Sequence, residues 1–586
     1  MRRTLRPAGP AAPDQEGAPA DAPTDEAPSP RRLRRFLPWL VHLLLLGAAA
    51  VLLAVAVRGQ WFFGDEWAFI QGRDIGRDPV AALLEPHNEH LSVLPVLVYR
   101  ALLAQVGLHT YWPYIAVVLA LHLLLAHLLW HVMRRSGARV VTATALATLA
   151  ALLGAGGENL LWAFQMGFVG SVTAGVGALL LADHDGRLGL RDAGAVLLCL
   201  VSLGCSGVGV SMVAAVGLCV LLRRRSWLQA AAVVAWPAAL LVCWYVTFGR
   251  GATSGAENAP PLPPLGLGAV PRFAFDGLSN ALEAGTGMRG AGAVLLLALV
   301  ALLVRRPGLL SGRGAAAVAC AGGAVAFFVL TGISRVALGV EQARVSRYVY
   351  VGMLLLLPLL ALGLDVLLDR LQHPAVVVVP LAACLVAVNL AVLYSAADRT
   401  RVREQGIRGT VLAAVDLVRR DEPILARKPD PEFSRDLSVA GLALFLERGW
   451  LPEPGRLPDL ERTTARARLQ VDLRAPRPPQ GFLLESGVRT LLEPTEPGCV
   501  RARPVGDEPQ VVARVDGRGG SLLVRPDVTA RLSVRLLTAD GSPSGARELF
   551  LDAGTPQSLV TTTGGRVLLT LPEDGAFELC AGVPPA

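Results

Sequence analysis

Hydrophobic residues along this chain fall in continuous runs, without the polar interruptions of a water-facing amphipathic helix. Eleven such runs lie at 37–57, 113–133, 140–156, 167–182, 193–205, 207–222, 228–248, 291–304, 314–332, 348–368 and 375–395. A run of about twenty apolar residues can cross a bilayer as a helix. The pattern predicts an α-helical polytopic membrane protein with about eleven transmembrane helices over residues 37–396. The arms at 193–222 are each shorter than a full span. They read either as a hairpin broken at Gly204-Cys205-Ser206-Gly207 or as a re-entrant pair.

Elsewhere the pattern changes. Residues 1–30 hold seven Pro and seven Ala with no apolar periodicity, which predicts disorder; the expected tail runs to residue 36. The segment 91–106 is amphipathic and is expected to lie along the interface. A helix over 402–420 and a Pro-rich, charged stretch form a connection over 397–480. Beyond it, short runs at Gln510–Val515, Ser521–Arg525, Thr529–Leu537, Ser558–Thr562, Arg566–Thr570 and Phe577–Cys580 are punctuated by Gly, Pro and Asp. They predict a β-sandwich-like domain over 481–586.

Composition sharpens this picture. The 586 residues are 53% hydrophobic and 17% charged, with mean hydropathy +0.49, whereas soluble domains carry about 25% charge. That balance excludes a soluble enzyme, a disordered protein and a nucleic-acid binder. The net charge of +8 would suit an anionic partner, but all basic residues except Lys428 are arginine, and many flank apolar runs. They read as topology determinants. Arg31, Arg32, Arg34 and Arg35 precede the first run and keep the N-terminus cytoplasmic. Every loop on that side is then basic, at Arg134, Arg135 and Arg139, at Arg187 and Arg191, at Arg223–Arg225, at Arg305, Arg306 and Arg313, and at Arg370. This threading puts the loops 58–112 and 249–290, and the C-terminal domain, outside the plasma membrane of a bacterium. Six of the eight cysteines fall in apolar segments; Cys499 and Cys580 flank the β region and can pair in an oxidising space.

Polar residues gather in four places. Asp65 and Glu66 follow the first run between aromatics, where a carboxylate can act as general base or help hold a divalent cation. The same pair also reads as a helix cap or solvated turn. His87, Glu89 and His90 form a second group, able to hydrogen-bond a substrate; H-x-x-H alone is a weak metal signal. Asn159, Trp162 and Gln165 can line a sugar site, Trp162 by stacking, unless Trp162 is an interfacial anchor. Arg335 precedes Arg344, Arg347 and Tyr348. Arg344 and Arg347 would share one face if helical, and external arginines invite a phosphate, anionic lipid or a pairing with Glu341. In the 249–290 loop, Pro260, Pro261, Pro263 and Pro264 precede an amphipathic stretch near 271–284 with Arg272, Asp276, Glu283 and Arg289.

Taken together, GDEW at 64–67, PHNEH at 86–90, NLLWAFQ at 159–165 and SRY at 346–348 in this architecture resemble the GT-C superfamily of integral-membrane glycosyltransferases, in a bacterial branch. The resemblance covers about residues 35–400. It implies a polyprenyl-phosphate sugar donor and an extracytoplasmic glycan, lipid or protein acceptor. It further implies Asp65, then Glu66, as base or metal ligand, and Arg344 and Arg347 on the lipid phosphate. A transporter or flippase for a lipid-linked or polar solute, and a non-catalytic envelope glycan-binding protein, are the alternatives.

Overall fold

All eleven apolar runs fold as helices. The computed structural model describes residues 30–73, 78–251 and 266–581. The disorder expected before residue 30 and the prolines at 260–264 lie outside the described residues. By internal contact the chain divides into Met1–Leu45 and Leu46–Ala586. Of the first unit, the described part is the opening of α1 (Pro30–Ala56), so the helix begins within the stretch assigned to the tail.

The second unit continues α1 and carries all other elements. Two short helices, α2 (Pro79–Leu84) and α3 (Val93–Val106), precede α4 (Trp112–Arg135), α5 (Val140–Ala151), α6 (Gly157–Leu161) and α7 (Met166–Ala182). Then come α8 (Leu190–Cys205), α9 (Val208–Arg224), α10 (Trp227–Thr247), α11 (Val270–Thr286), α12 (Ala291–Arg305), α13 (Ala315–Arg335) and α14 (Ser346–Leu367). Among the described residues, eight helical stretches are long and apolar enough to cross a membrane, or nine if the bent pair α11–α12 counts as one. The shortfall from eleven lies in α8, α9 and α12, of 16, 17 and 15 residues. The chain does break between α8 and α9, at Ser206, which is extended with φ −169°. Ser171 and Ser202 clasp α7 to α8 by exchanging hydrogen bonds with each other's carbonyls at 2.8 and 2.7 Å.

A larger difference concerns the last run. The helix expected at 402–420 is continuous with it, forming one 45-residue helix, α15 (Ala375–Arg419). No proline follows Pro380 in this stretch, so the shift from apolar to charged near residue 397 changes the surroundings and not the backbone. Helix α15 packs tightly at Gly154, where a Cβ would stand 1.8 Å from the Asn389 carbonyl oxygen.

Two further helices, α16 (Val439–Glu447) and α17 (Asp459–Leu469), lead into eleven strands. These are β1 (Val471–Arg474), β2 (Phe482–Val488), β3 (Thr490–Pro494), β4 (Cys499–Pro504), β5 (Gln510–Val515) and β6 (Gly520–Pro526), followed by β7 (Ala530–Leu536), β8 (Arg547–Leu551), β9 (Gln557–Thr561), β10 (Gly565–Thr570) and β11 (Phe577–Cys580). They form two antiparallel sheets, ordered β1-β9-β6-β11-β4-β3 and β2-β5-β10-β7-β8. Alternate residues such as Leu522, Val524, Leu532, Val534 and Leu579 fill the space within this domain. All six anticipated strands are present; β1 begins before residue 481 and pairs with β9. Cys499 and Cys580 oppose each other in register across β4 and β11 and are joined by a disulfide.

Candidate functional site

The ends of α7, α9, α13 and α14 nearest Phe168, Val208, Arg335 and Tyr348 line a cleft with Glu89 and His90, and the loop that follows α1 lies next to His87. Its course is set by aromatic burial. Trp61, Phe62 and Trp67 turn inward against Tyr111 and Tyr114, with ring centroids 4.9–6.1 Å apart. Gly64 makes the turn at φ +62°, where Trp162 lies 3.1 Å from the position of a missing Cβ. A short π-helix, Ala68–Gly72, follows; such turns are frequent at functional sites.

Contacts from far along the chain fix this loop. The Gly64 amide donates to the Phe433 carbonyl at 2.6 Å. Gln71 Oε1 accepts from the Ser438 amide and Gln71 Nε2 donates to Ser438 Oγ, both at 2.9 Å. Ser438 also caps α16 through the Gly441 amide. The Trp61 amide donates to Glu404 Oε2 at 2.8 Å.

The two neighbouring carboxylates have opposite environments. Glu66 is fully buried: Oε1 accepts from the hydroxyls of Tyr99 (2.6 Å) and Tyr111 (3.1 Å), and Oε2 from the Phe63 amide (2.9 Å). Burial pushes its carboxyl up to about 8 despite these donors, so Glu66 is mainly protonated at neutral pH. Burial likewise holds the Tyr99 and Tyr111 phenols well above their usual range, which keeps them as donors. The Asp65 side chain is 43% exposed, with His87 Nε2 3.8 Å from Oδ2, an ionic approach longer than a hydrogen bond. Burial alone would raise Asp65; His87 and the guanidiniums of Arg435 and Arg347 outweigh it and hold the carboxyl below its ordinary value.

The PHNEH segment contains a four-residue hairpin. His87 and His90 exchange backbone hydrogen bonds at 3.0 Å around Asn88, which has φ +52°. One end, His87, packs edge-on against Phe69 and Phe164 beside Asp65. The other end enters a cleft of about 210 Å³ lined by Glu89, His90, Phe168, Ser211, Arg335 and Tyr348. Burial lowers His90 to about 4, so its ring is neutral. Arg335 bonds Glu89. A second cavity of about 250 Å³ shares Glu89, Gly207 and Val210 with the first and continues along Leu203, Leu241, Val242 and Trp244. The two form a groove that is charged at one end and apolar along its length.

Arg347 pairs with Glu158 at 2.7 Å and lies over the Tyr348 ring at 5.3 Å. Arg344 does not share its helix. A short 3₁₀ turn ends at Arg344, Val345 is extended, and α14 starts at Ser346. The two guanidiniums therefore lack the common helical face that their spacing suggested, and Arg344 is exposed. Trp162 stacks between Phe63 and Phe164, both at 4.9 Å. Asn159 is fully buried with neither amide atom hydrogen-bonded, and Gln165 Oε1 is likewise unpaired, while Trp162 points toward Glu66 and helps lower its carboxyl. Arg272 and Asp276 approach each other on α11, Glu283 accepts from the Gly290 amide, and none of them lines the groove.

Among the described residues, no three His, Cys, Asp or Glu side chains converge on a point suited to a metal ion. The structure thus brings Asp65, His87 and Arg347 together, with Glu89, His90 and Tyr348 in the adjoining cleft, and leaves Arg344 apart. Sequence reading missed Arg435, Gln71 and the Glu66–Tyr99–Tyr111 network. Tyr99 and Tyr111 did carry a signal, as polar-tipped rings in an otherwise apolar setting. No known protein family, curated protein or solved structure matches this chain.

Proposed function

We propose that the protein is a membrane glycosyltransferase that moves a sugar from a polyprenyl-phosphate donor to an extracytoplasmic glycan, lipid or protein. The reading assigns the eight long helices, with α8, α9 and α12, to the bilayer and sets the Asp65 end at the outer leaflet. The observation that carries it is the half-exposed Asp65, ionised at neutral pH and facing His87, beside a groove that passes from charged to apolar. That sequence of surfaces suits a phosphate joined to a hydrocarbon chain. The charged groups gather at the ends of the helices; a solute carrier would favour the middle of the bilayer.

In the reaction, an acceptor hydroxyl oxygen attacks the anomeric carbon while its proton passes to Asp65. The bond from that carbon to the phosphate oxygen breaks, and polyprenyl phosphate departs with the electron pair. Arg335 and Arg347 would stabilise the charge that grows on the leaving phosphate, exchanging their present carboxylate partners for it. A single displacement inverts the anomeric centre. Glu66, buried and multiply hydrogen-bonded, positions the loop. The test is release of lipid phosphate from labelled polyprenyl-phosphate sugars by the purified chain. Asp65→Asn should slow it by at least about 100-fold with donor binding and Tm retained. Transfer at the parent rate in that variant would sink the assignment.

A further inference from the structure

A second cavity, sharing no lining residue with the groove, lies where α1, the start of α4 and the charged part of α15 meet. Its volume is about 520 Å³. One wall is apolar, from Ala54, Val57 and Ile115, on or next to helices long enough to cross a membrane. The opposite rim carries Arg58, Gln60, Trp112 and Arg408. No Asp or Glu lines it. Neither Arg58 nor Arg408 forms an ion pair among the described residues; of the nearby acids, Glu66 is bound by Tyr99 and Tyr111, and Glu404 by the Trp61 amide. Gln60 is only 5% exposed, yet neither its Oε1 nor its Nε2 is hydrogen-bonded. A buried carboxamide with no partner is costly, and it lines this cavity. Trp112, by contrast, is 48% exposed at the mouth.

We infer that this cavity binds the anionic, phosphate-bearing headgroup of a membrane amphiphile, one without a compensating cationic group. Arg58 and Arg408 provide forked donors for the phosphate oxygens. The Gln60 carboxamide supplies one more donor, and an acceptor for a headgroup hydroxyl. Ala54, Val57 and Ile115 receive the start of the hydrocarbon chain. Direction along the bilayer normal rests on the proposed membrane placement of α1 and α4; the phosphate chemistry does not. Tyr111 connects the two sites, since its ring lines this cavity and its hydroxyl bonds Glu66 beside Asp65.

The experiment measures retention of labelled phosphatidylglycerol by the full-length protein in nanodiscs of neutral phosphatidylcholine. The Arg58→Gln/Arg408→Gln double variant should weaken retention by at least about tenfold, Gln60→Leu by a few-fold, and Arg408→Lys less than either. Inorganic phosphate is the second arm. Competition by it at millimolar concentration would make free phosphate the ligand of the same site, whereas its failure to compete identifies the lipid headgroup. Equal retention of phosphatidylglycerol by parent and double variant would overturn the inference, as would equal retention of phosphatidylglycerol and labelled phosphatidylcholine by the parent. Asp65→Asn should bind the lipid normally, so a failed transfer reaction leaves this result standing, and the reverse also holds.

Discussion

The two ends of the helical bundle use polar residues in opposite ways. At the arginine-rich end, Arg224 is only 2% exposed, pairs with Asp192 at 2.6 Å and also donates to the carbonyls of Ala182 and His184. Arg139 reaches Asp369 and the Leu368 carbonyl, while Asp365 accepts from the Arg139 amide and the Thr142 hydroxyl. These groups complete one another and tie turns to helices. At the other end Asn159, Gln165 Oε1 and His90 Nδ1 are buried without hydrogen bonds. Native proteins leave few such atoms without a partner or ordered water. The first end commits its buried charges to ion pairs; the second combines the bonded Glu66 and Gln71 networks with buried amide and imidazole atoms that have no hydrogen-bond partner among the described residues.

Four measurements would break or sharpen that contrast. Removing the charge at the structural end has the largest expected effect on stability. Arg224→Leu leaves Asp192 buried without its guanidinium and should destabilise the protein by about 3–5 kcal/mol, read as a fall in Tm. In the β domain, Cys499→Ala/Cys580→Ala opens a link spanning 81 residues and should cost about 2–4 kcal/mol, leaving the Asp65 reaction unchanged.

The third measurement is a pH series. Glu66 is raised from 4.5 to about 8 in the folded chain, so the stability it contributes is complete below 4.5 and is lost as pH climbs through 8. Tm should therefore fall between about pH 4.5 and 8 and level off above that in the parent, and fall less in Glu66→Gln. A parent and variant that decline in parallel would mean that Glu66 does not govern the profile. The smallest effect has the opposite sign. Asn159→Leu removes an unsatisfied buried amide and should raise stability by about 1 kcal/mol while lowering sugar transfer. A loss of both would place Asn159 among the structural groups.

Much of this architecture is legible in the chain because it depends on local pattern. The apolar runs identify the helices, the Gly204–Gly207 stretch marks the break between α8 and α9, and alternation picks out β5 and β11 almost to the residue. Strands β1, β2, β3, β4 and β8 were missed; Pro, Gly and Glu punctuate β2, β3 and β4, and much of β2 is exposed. Asp65 and His87 stand out as polar residues near apolar runs. Arg435 does not, because it reaches the neighbourhood of Asp65 through long-range contacts, Gly64 with Phe433 and Gln71 with Ser438, the latter 367 residues apart. No local regularity encodes a contact of that span. The exposure that separates Asp65 from Glu66 is equally invisible in adjacent letters.

The clasp between Gln71 and Ser438 has a consequence for how this molecule can be altered. A chain ending after α15 would keep every long apolar helix and could still insert, yet it would lack the Phe433 carbonyl that holds Gly64, the serine that anchors Gln71 and the Arg435 charge near Asp65. The segment after the bundle is thus a keystone for the acidic loop, and a chain shortened to the end of α15 would lose the contacts that set the surroundings of Asp65.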